Sequence, residues 1–334
     1  MLRNICELVR KKSEKLLPLR KEYVRKFKNM KSTKNPIMDP KKFTESLDTL
    51  MNYFENDEKC IEYIFQIKYK NGWRCPKSKC GSKKYYLIKK RNIIRCSKCK
   101  HEKSFMADTI FGYTKLPLRQ WFKVIYIFAT QKKHTSAAEL HKQLGLGSYK
   151  TVLYLLHKIR MALGELEKPK LSGDIEYGDF YLTTWDWYEN ALIACAVEMK
   201  YDKKGQPALG KIKLEHVPSD DRVYFQNFIK KNIKVGSSVT TSTHKNYRGI
   251  RNLGYTHKTI IISSGREGEI RFPRVYKIYS DLEQWLRRTY INVSSDFLQN
   301  YLNEYTFGFN RKGNKAKAFT DVMEFAILGK DRNK

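Results

Sequence analysis

Four of the seven cysteines fall as two close pairs, Cys75 with Cys80 and Cys96 with Cys99, in the stretch WRCPKSKCGSKKYYLIKKRNIIRCSKCKHEKSF from Trp73 to Phe105. Two thiolate pairs brought together as knuckles suit a closed tetrahedral Zn²⁺ site. The Tyr- and Ile-rich residues between them are long enough for two strands, Tyr85 to Ile88 and Ile93 to Cys96, of a zinc ribbon. Four unrelated buried cysteines, or two disulfides, are the alternatives, though nothing in the chain suggests an oxidising compartment. His101 is a spare ligand, but four cysteines already complete the shell. So small a ribbon buries little apolar surface, and a structural zinc would supply much of its folding energy. Cys6, Cys60 and Cys195 sit in apolar surroundings and read as inert small hydrophobes.

At 334 residues the chain has room for two or three domains. Its 66 Lys+Arg against 34 Asp+Glu give a formal charge of +32, which points to a polyanionic partner, double-stranded DNA by default. A lysine-rich codon composition would explain frequent Lys but not so large a deficit of acids. No apolar run reaches the roughly 18 to 20 residues of a membrane span, and Met1 to Lys34 lacks the apolar region of a signal peptide. The expectation is a soluble, intracellular, DNA-associated protein without a membrane partner.

Residues 1 to 34 carry twelve Lys/Arg and three Glu, with apolar residues near helical spacing and Pro18 to break the run. This stretch reads as a basic arm on phosphate or as a solvated extension. Phe43, Leu47, Leu50, Met51 and Phe54 predict one amphipathic helix; Cys60, Ile61, Ile64 and Phe65 predict a second. After the ribbon, Trp121 to Ala129 mark a helix starting near Pro117. Ser136 to Glu139 reads as a capping box opening the helix of Leu140 and Leu144. Gly145-Leu146-Gly147 then turns sharply into a helix from Ser148, with Val152, Leu153, Leu156, Ile159 and Leu163 inward and Tyr149, Lys150, Tyr154, His157, Lys158 and Arg160 outward. Helix, glycine turn and basic aromatic helix make a helix-turn-helix pattern, which an ordinary helical bundle also resembles.

Beyond Pro169 and Gly173 the period changes to strands: Ile175 to Thr184, Ala191 to Met199 and Ile212 to Val217. A helix capped by Ser219 follows, with Asp220 and Asp221 in its first turn and Val223, Phe225, Phe228 and Ile229 on its face. Strands at Ser238 to Ser242 and Lys258 to Ile262, then helices from Val275 to Arg288 and Asp296 to Phe309, complete the list.

Between about Asn56 and Lys312, the phrases NGWRCP, CSKC, DTIFGYTKLPLRQWF, KKHTSAAELHKQLGLGSYKTV, LLHKIRMAL, LSGDIEYGDFYL, GSSVTTSTHKNY, GYTH, RTYINVS and YLNEYTFGFNRK resemble ISXO-type insertion-sequence transposases. That family joins a zinc ribbon, a helix-turn-helix and a DDE ribonuclease-H-like nuclease core. The resemblance implies a multidomain α+β chain, with a zinc ribbon and helix-turn-helix followed by a ribonuclease-H-like α/β domain. Its divisions would be a basic N-terminal arm (1–40), a helical segment (41–70), the zinc ribbon (71–108), the helix-turn-helix (115–168), the ribonuclease-H-like domain (171–310) and a basic C-terminal tail (311–334). A homodimer is implied too, because such transposases bring two element ends together.

Nucleases of this family place three acids around two Mg²⁺ ions. By the family's phrases the three positions here are Gly178, Ser242 and Tyr276, none of them acidic. Gly, Ser and Tyr offer no carboxylate, so no Mg²⁺ is expected. Asp179 is adjacent to Gly178 but alternates to the other strand face, and Glu176 matches a separate Glu of the family. The expectation is a domesticated, catalytically inactive, sequence-preferring DNA-binding protein, for transcriptional regulation or genome organisation. Its DNA contacts would come from Ser148, Tyr149, Lys150, Thr151, Tyr154 and Lys158 of the second helix and from Lys84, Lys89, Lys90 and Arg91 of the ribbon. The rivals are an active transposase with displaced acids and a basic interaction scaffold.

Overall fold

The computed structural model describes residues 39–329 apart from 89, 90, 113, 115, 131–135, 146, 147, 167, 168, 184–189, 202, 203, 263–270, 291 and 292. The basic arm therefore lies almost wholly outside the described residues. The fold is mixed α+β, with a three-stranded ribbon sheet among helices and a five-stranded sheet in the C-terminal half.

The helix expected from Phe43 to Phe54 is two helices, α1 (Pro40–Phe43) and α2 (Leu47–Tyr53). The break follows from local side-chain bonds that compete with a continuous helix: Thr44 Oγ1 donates to Pro40 O, and Ser46 Oγ accepts from Thr49 N to start the second helix. Phe43, Leu50 and Phe54 are buried together regardless. Helix α3 (Asp57–Lys68) begins at an Asn56 cap. In the ribbon, β1 (Tyr85–Ile88) and β2 (Ile93–Cys96) pair antiparallel over the expected residues. A third strand, β3 (Glu102–Ser104), pairs with β2 and was not expected, because Glu-Lys-Ser shows no apolar alternation; the cross-strand Arg95–Glu102 ion pair marks its register.

Helices α4 (Leu118–Thr130), α5 (Ala137–Leu144) and α6 (Tyr149–Leu166) follow. The span 311–334, expected as a basic tail, instead contains α10 (Lys315–Leu328), whose Phe319, Val322, Met323, Ala326 and Ile327 are buried in the core formed by α1 to α6. Apolar residues three and four apart outweigh the lysines at its start. The chain thus leaves this core after α6, builds the five-stranded sheet, and returns.

The sheet runs β6-β5-β4-β7-β8, comprising β4 (Asp174–Thr183), β5 (Asn190–Tyr201), β6 (Pro207–Val217), β7 (Ser238–Ser242) and β8 (Thr256–Ile260). The first three strands meander antiparallel, and β4–β7 and β7–β8 pair parallel. Strand β8 starts two residues before the expected one. On one face, Phe225, Phe228 and Ile229 of α7 (Arg222–Asn232) pack with Tyr177 and Tyr247. Ser219 does not cap α7: its hydroxyl donates to Asp221, the residue at the cap, and Val223 faces solvent. On the other face lie α8 (Pro273–Thr289) and α9 (Ser295–Asn310), with Val275, Ile278, Leu282, Leu298 and Leu302 buried. No helix among the described residues is long and apolar enough to cross a membrane.

Candidate functional site

The ribbon sequence folds so that both knuckles turn back on themselves. Cys75 N donates to Ser82 O, and Cys96 N donates to His101 O. The residue after each pair is left-handed, Gly81 at φ 54° and Lys100 at φ 58°, so the chain reverses directly behind Cys80 and Cys99. The four sulfurs all lie within 4.8 Å of one another. Cys75–Cys99 and Cys80–Cys96 are 3.6 and 3.7 Å apart, close to the edge of about 3.8 Å that a tetrahedron with Zn–S of about 2.3 Å requires. None of the four is in a disulfide, and His101 is exposed outside the cluster. Burial and the neighbouring sulfurs push the Cys75 thiol up to about 12, whereas, against the penalty of burial, the backbone N–H groups of Cys99 and Lys98 and the sulfurs of Cys80 and Cys99 bring Cys96 down to about 6. The donor set fits zinc held by Cys75, Cys80, Cys96 and Cys99.

At the second site, Ser136 accepts from Glu139 N to open α5, and Gly145 closes it at φ 62°. The Glu139 carboxylate does not complete the capping box; it accepts from Gln143. Ser148, just before α6, and Tyr149, Lys150, Thr151, Leu153 and Tyr154 on its first two turns are exposed. Leu153, expected inward, is 39% exposed, and Leu155 takes its place in the core. Lys158, expected to touch DNA, is only 5% exposed: its ammonium donates to the carbonyls of Ile110 and Gly112 and sits 4.9 Å from the Tyr154 ring centre. Arg160, expected outward, is 4% exposed and paired with Glu304 at 2.6 Å. The partners differ, carbonyls of the 110–112 segment for Lys158 and a carboxylate of α9 for Arg160, and neither is visible in the local sequence. On the ribbon, Lys84 is exposed and Arg91 stands 3.6 Å from Glu102. Lys89 and Lys90 lie outside the described residues.

The third site is where the β4–β7 pairing ends, in the middle of β4 and at the carboxyl end of β7. Glu176 pairs with Thr240, so Gly178 and Ser242, two residues further along each parallel strand, stand at one level. Tyr276 lies in the first turn of α8, and its neighbour Val275 fills the space above Gly178: a Cβ there would be 3.3 Å from Val275 Cγ1. Gly178 and Ser242 thus stand side by side, with the first turn of α8 against Gly178 through Val275. Glu176, buried on the same strand face, is fully engaged: Oε1 accepts from Arg274 N and Val275 N at 2.9 and 2.7 Å, and Oε2 accepts from the Arg274 guanidinium at 3.0 Å. It satisfies the orphan donors of the α8 start, which Phe272 leaves without a side-chain cap. Asp281 and Glu283 pair along α8 with Lys277 and Arg287. On the opposite sheet face, burial raises the Asp179 carboxyl to about 6, with His244 lowering it and Asp220 raising it.

Sequence reading missed the Glu176 cap and the Arg160–Glu304 pair, since neither has a local signal; their partners lie 98 and 144 residues away.

Residues 55–102 match the model of the transposase zinc-ribbon domain, and residues 189–310 match that of the ISXO2-like transposase domain. An uncharacterised protein in the transposable element ISH50 of Halobacterium salinarum is 27% identical over 130 residues, 39% of this chain and 43% of that protein, so the match spans less than half of the relative's length. Among solved structures, a chain of the simian T-cell lymphotropic virus intasome in complex with the PP2A regulatory subunit B56 gamma overlaps 53% of this chain and 69% of its own. At 13% identity and a TM-score of 0.29, that likeness carries no argument.

Proposed function

We propose that this chain, which carries a transposase zinc ribbon and an ISXO2-like transposase domain, binds double-stranded DNA in a sequence-preferring way and does not cut it. The observation that carries the reading is the β4–β7 pair beside α8: Gly178 and Ser242 stand level without a carboxylate, Val275 occupies the space above Gly178, and Glu176 is spent on Arg274 and the α8 start. Two-metal cleavage needs hard oxygen ligands at that point.

The charge of +32 and the exposed, basic and aromatic first turns of α6 support a DNA partner. The pair α5–α6, closed by the left-handed Gly145, fits a helix-turn-helix whose second helix reads bases with its N-terminal residues. Three meandering strands, a helix, two further strands and closing helices fit the ribonuclease-H-like domain that the resemblance implies. A homodimer belongs to the same reading and is checked by sedimentation. The rival, cleavage through displaced acids, rests on half-buried Asp179.

Selection from a random-sequence duplex library at several salt concentrations tests the binding. Enrichment of a common motif supports it, whereas retention without sequence preference leaves only a basic scaffold. Replacing Tyr149 and Lys150 by Ala would cost about 1–3 kcal/mol of preference per lost base contact. Replacing Lys84 and Arg91 would weaken all sequences alike and flatten the salt slope.

A further inference from the structure

The buried cluster around Arg160 joins the two halves of the molecule through directional contacts. Arg160 Nε donates to Glu304 Oε2 at 2.6 Å, its second nitrogen donates to the Tyr290 hydroxyl at 3.2 Å, and that hydroxyl donates to Glu304 Oε1 at 3.0 Å. The guanidinium carbon also lies 5.2 and 4.5 Å from the ring centres of Tyr290 and Tyr301. Tyr290 ends α8, and Tyr301 and Glu304 belong to α9, so helices of the sheet half hold one side of α6. Lys158 fixes α6 to Ile110 and Gly112 in its own half.

A buried ion pair is weak evidence of stability, since apolar side chains of similar volume often serve as well or better. What a planar fork of donors supplies is geometry, because its bonds are made in one pose only. That pose matters at the exposed end of α6. Tyr149 lies eleven residues before Arg160, roughly 16 Å along a helix, so a tilt of about 10° at the cluster moves the tip by roughly 3 Å, a whole hydrogen-bond length.

We propose that Arg160, Glu304 and Tyr290 are positioning residues through which the sheet half sets the pose of the first two turns of α6, contributing sequence selectivity without touching a base. This rests on the DNA-binding reading above.

Two full-length variants test it. Tyr290→Phe removes the bridging hydroxyl, and Arg160→Met with Glu304→Met replaces the charges by apolar volume and should keep the fold. Each is measured by selection from the duplex library, by affinity for random DNA, and by amide hydrogen exchange of residues 149–156 in the DNA-free protein. Expected are an unchanged random-DNA affinity and salt slope, an enrichment of the preferred motif reduced about tenfold in the double variant and less in Tyr290→Phe, and faster exchange of those amides. A folded double variant with wild-type enrichment overturns the proposal, as does unchanged exchange. Wild-type protein without sequence preference removes the underlying reading as well, and the exchange arm then shows separately whether the cluster holds α6.

Discussion

The ribbon knuckles and the carboxyl end of the β4–β7 pair are built by the same means: short segments distant in sequence are brought to one point by backbone pairing and by a buried core behind them. At the ribbon the side chains delivered are four thiols at metal-binding distances. At the sheet they are Gly178, Ser242 and the neighbourhood of Tyr276, roofed by Val275 and Arg274. Convergence is therefore a property of the fold, while ligation is a property of the few side chains placed there. Small ribbons depend on the ion for folding, so their ligands are needed for stability. A sheet held by Ile175, Tyr177, Val239, Ile278 and Leu282 does not need carboxylates at its end, and three of them close together would repel one another without metal.

The contrast is broken or sharpened by a graded set of changes. The largest effect belongs to the ribbon. Chelation removes a metal whose binding contributes about 10–16 kcal/mol in comparable small sites, and Cys96→Ser removes part of that contribution. Because Trp73, Cys75, Ile94 and Cys96 share one core with α4, α6 and α10, near-ultraviolet circular dichroism should report loosening well beyond residues 71–108. Elemental analysis should find one zinc per chain before treatment. Next comes Phe319→Ala, which opens a cavity where α10 meets that core and should cost about 3–5 kcal/mol in denaturant unfolding; a true tail would lose nothing.

At the sheet the expected effects are smaller. Asp179 has its folded-state pKa raised from 3.8 to about 6, so the folded state binds the extra proton, and stability falls as pH rises from about 4 to 6. Asp179→Asn removes that fall, worth about 2–3 kcal/mol at pH 8 and nothing below about pH 4, as read from unfolding midpoints across pH. Gly178→Asp should cost about 1–2 kcal/mol through crowding against Val275, with no gain in stability on adding Mg²⁺. A gain would mean that the site still accepts a metal.

The sequence made some of this legible and hid the rest for identifiable reasons. Strands β1 and β2 could be placed to the residue because two short Tyr- and Ile-rich runs lie between the cysteine pairs and β2 ends on Cys96, whose position the metal site fixes. The outer face of α6 was only half legible. Tyr149, Lys150 and Tyr154 face solvent as helical spacing suggests, whereas Lys158 and Arg160 are held inside by carbonyls and a carboxylate from distant segments. Long basic side chains look solvated wherever such partners are out of view. Glu176 was hidden in the same way, since a strand residue gives no sign that it will serve the start of a helix nearly a hundred positions later.

Incubating the zinc-loaded full chain with its selected duplex and Mg²⁺ or Mn²⁺, and resolving the strands on a denaturing gel, tests the central claim most directly. Bound DNA that stays intact, with neither nicks nor joined products, is the expected result. Metal-dependent cleavage that disappears in Asp179→Asn would contradict it, and would place the working acids on the face of β4 opposite Gly178.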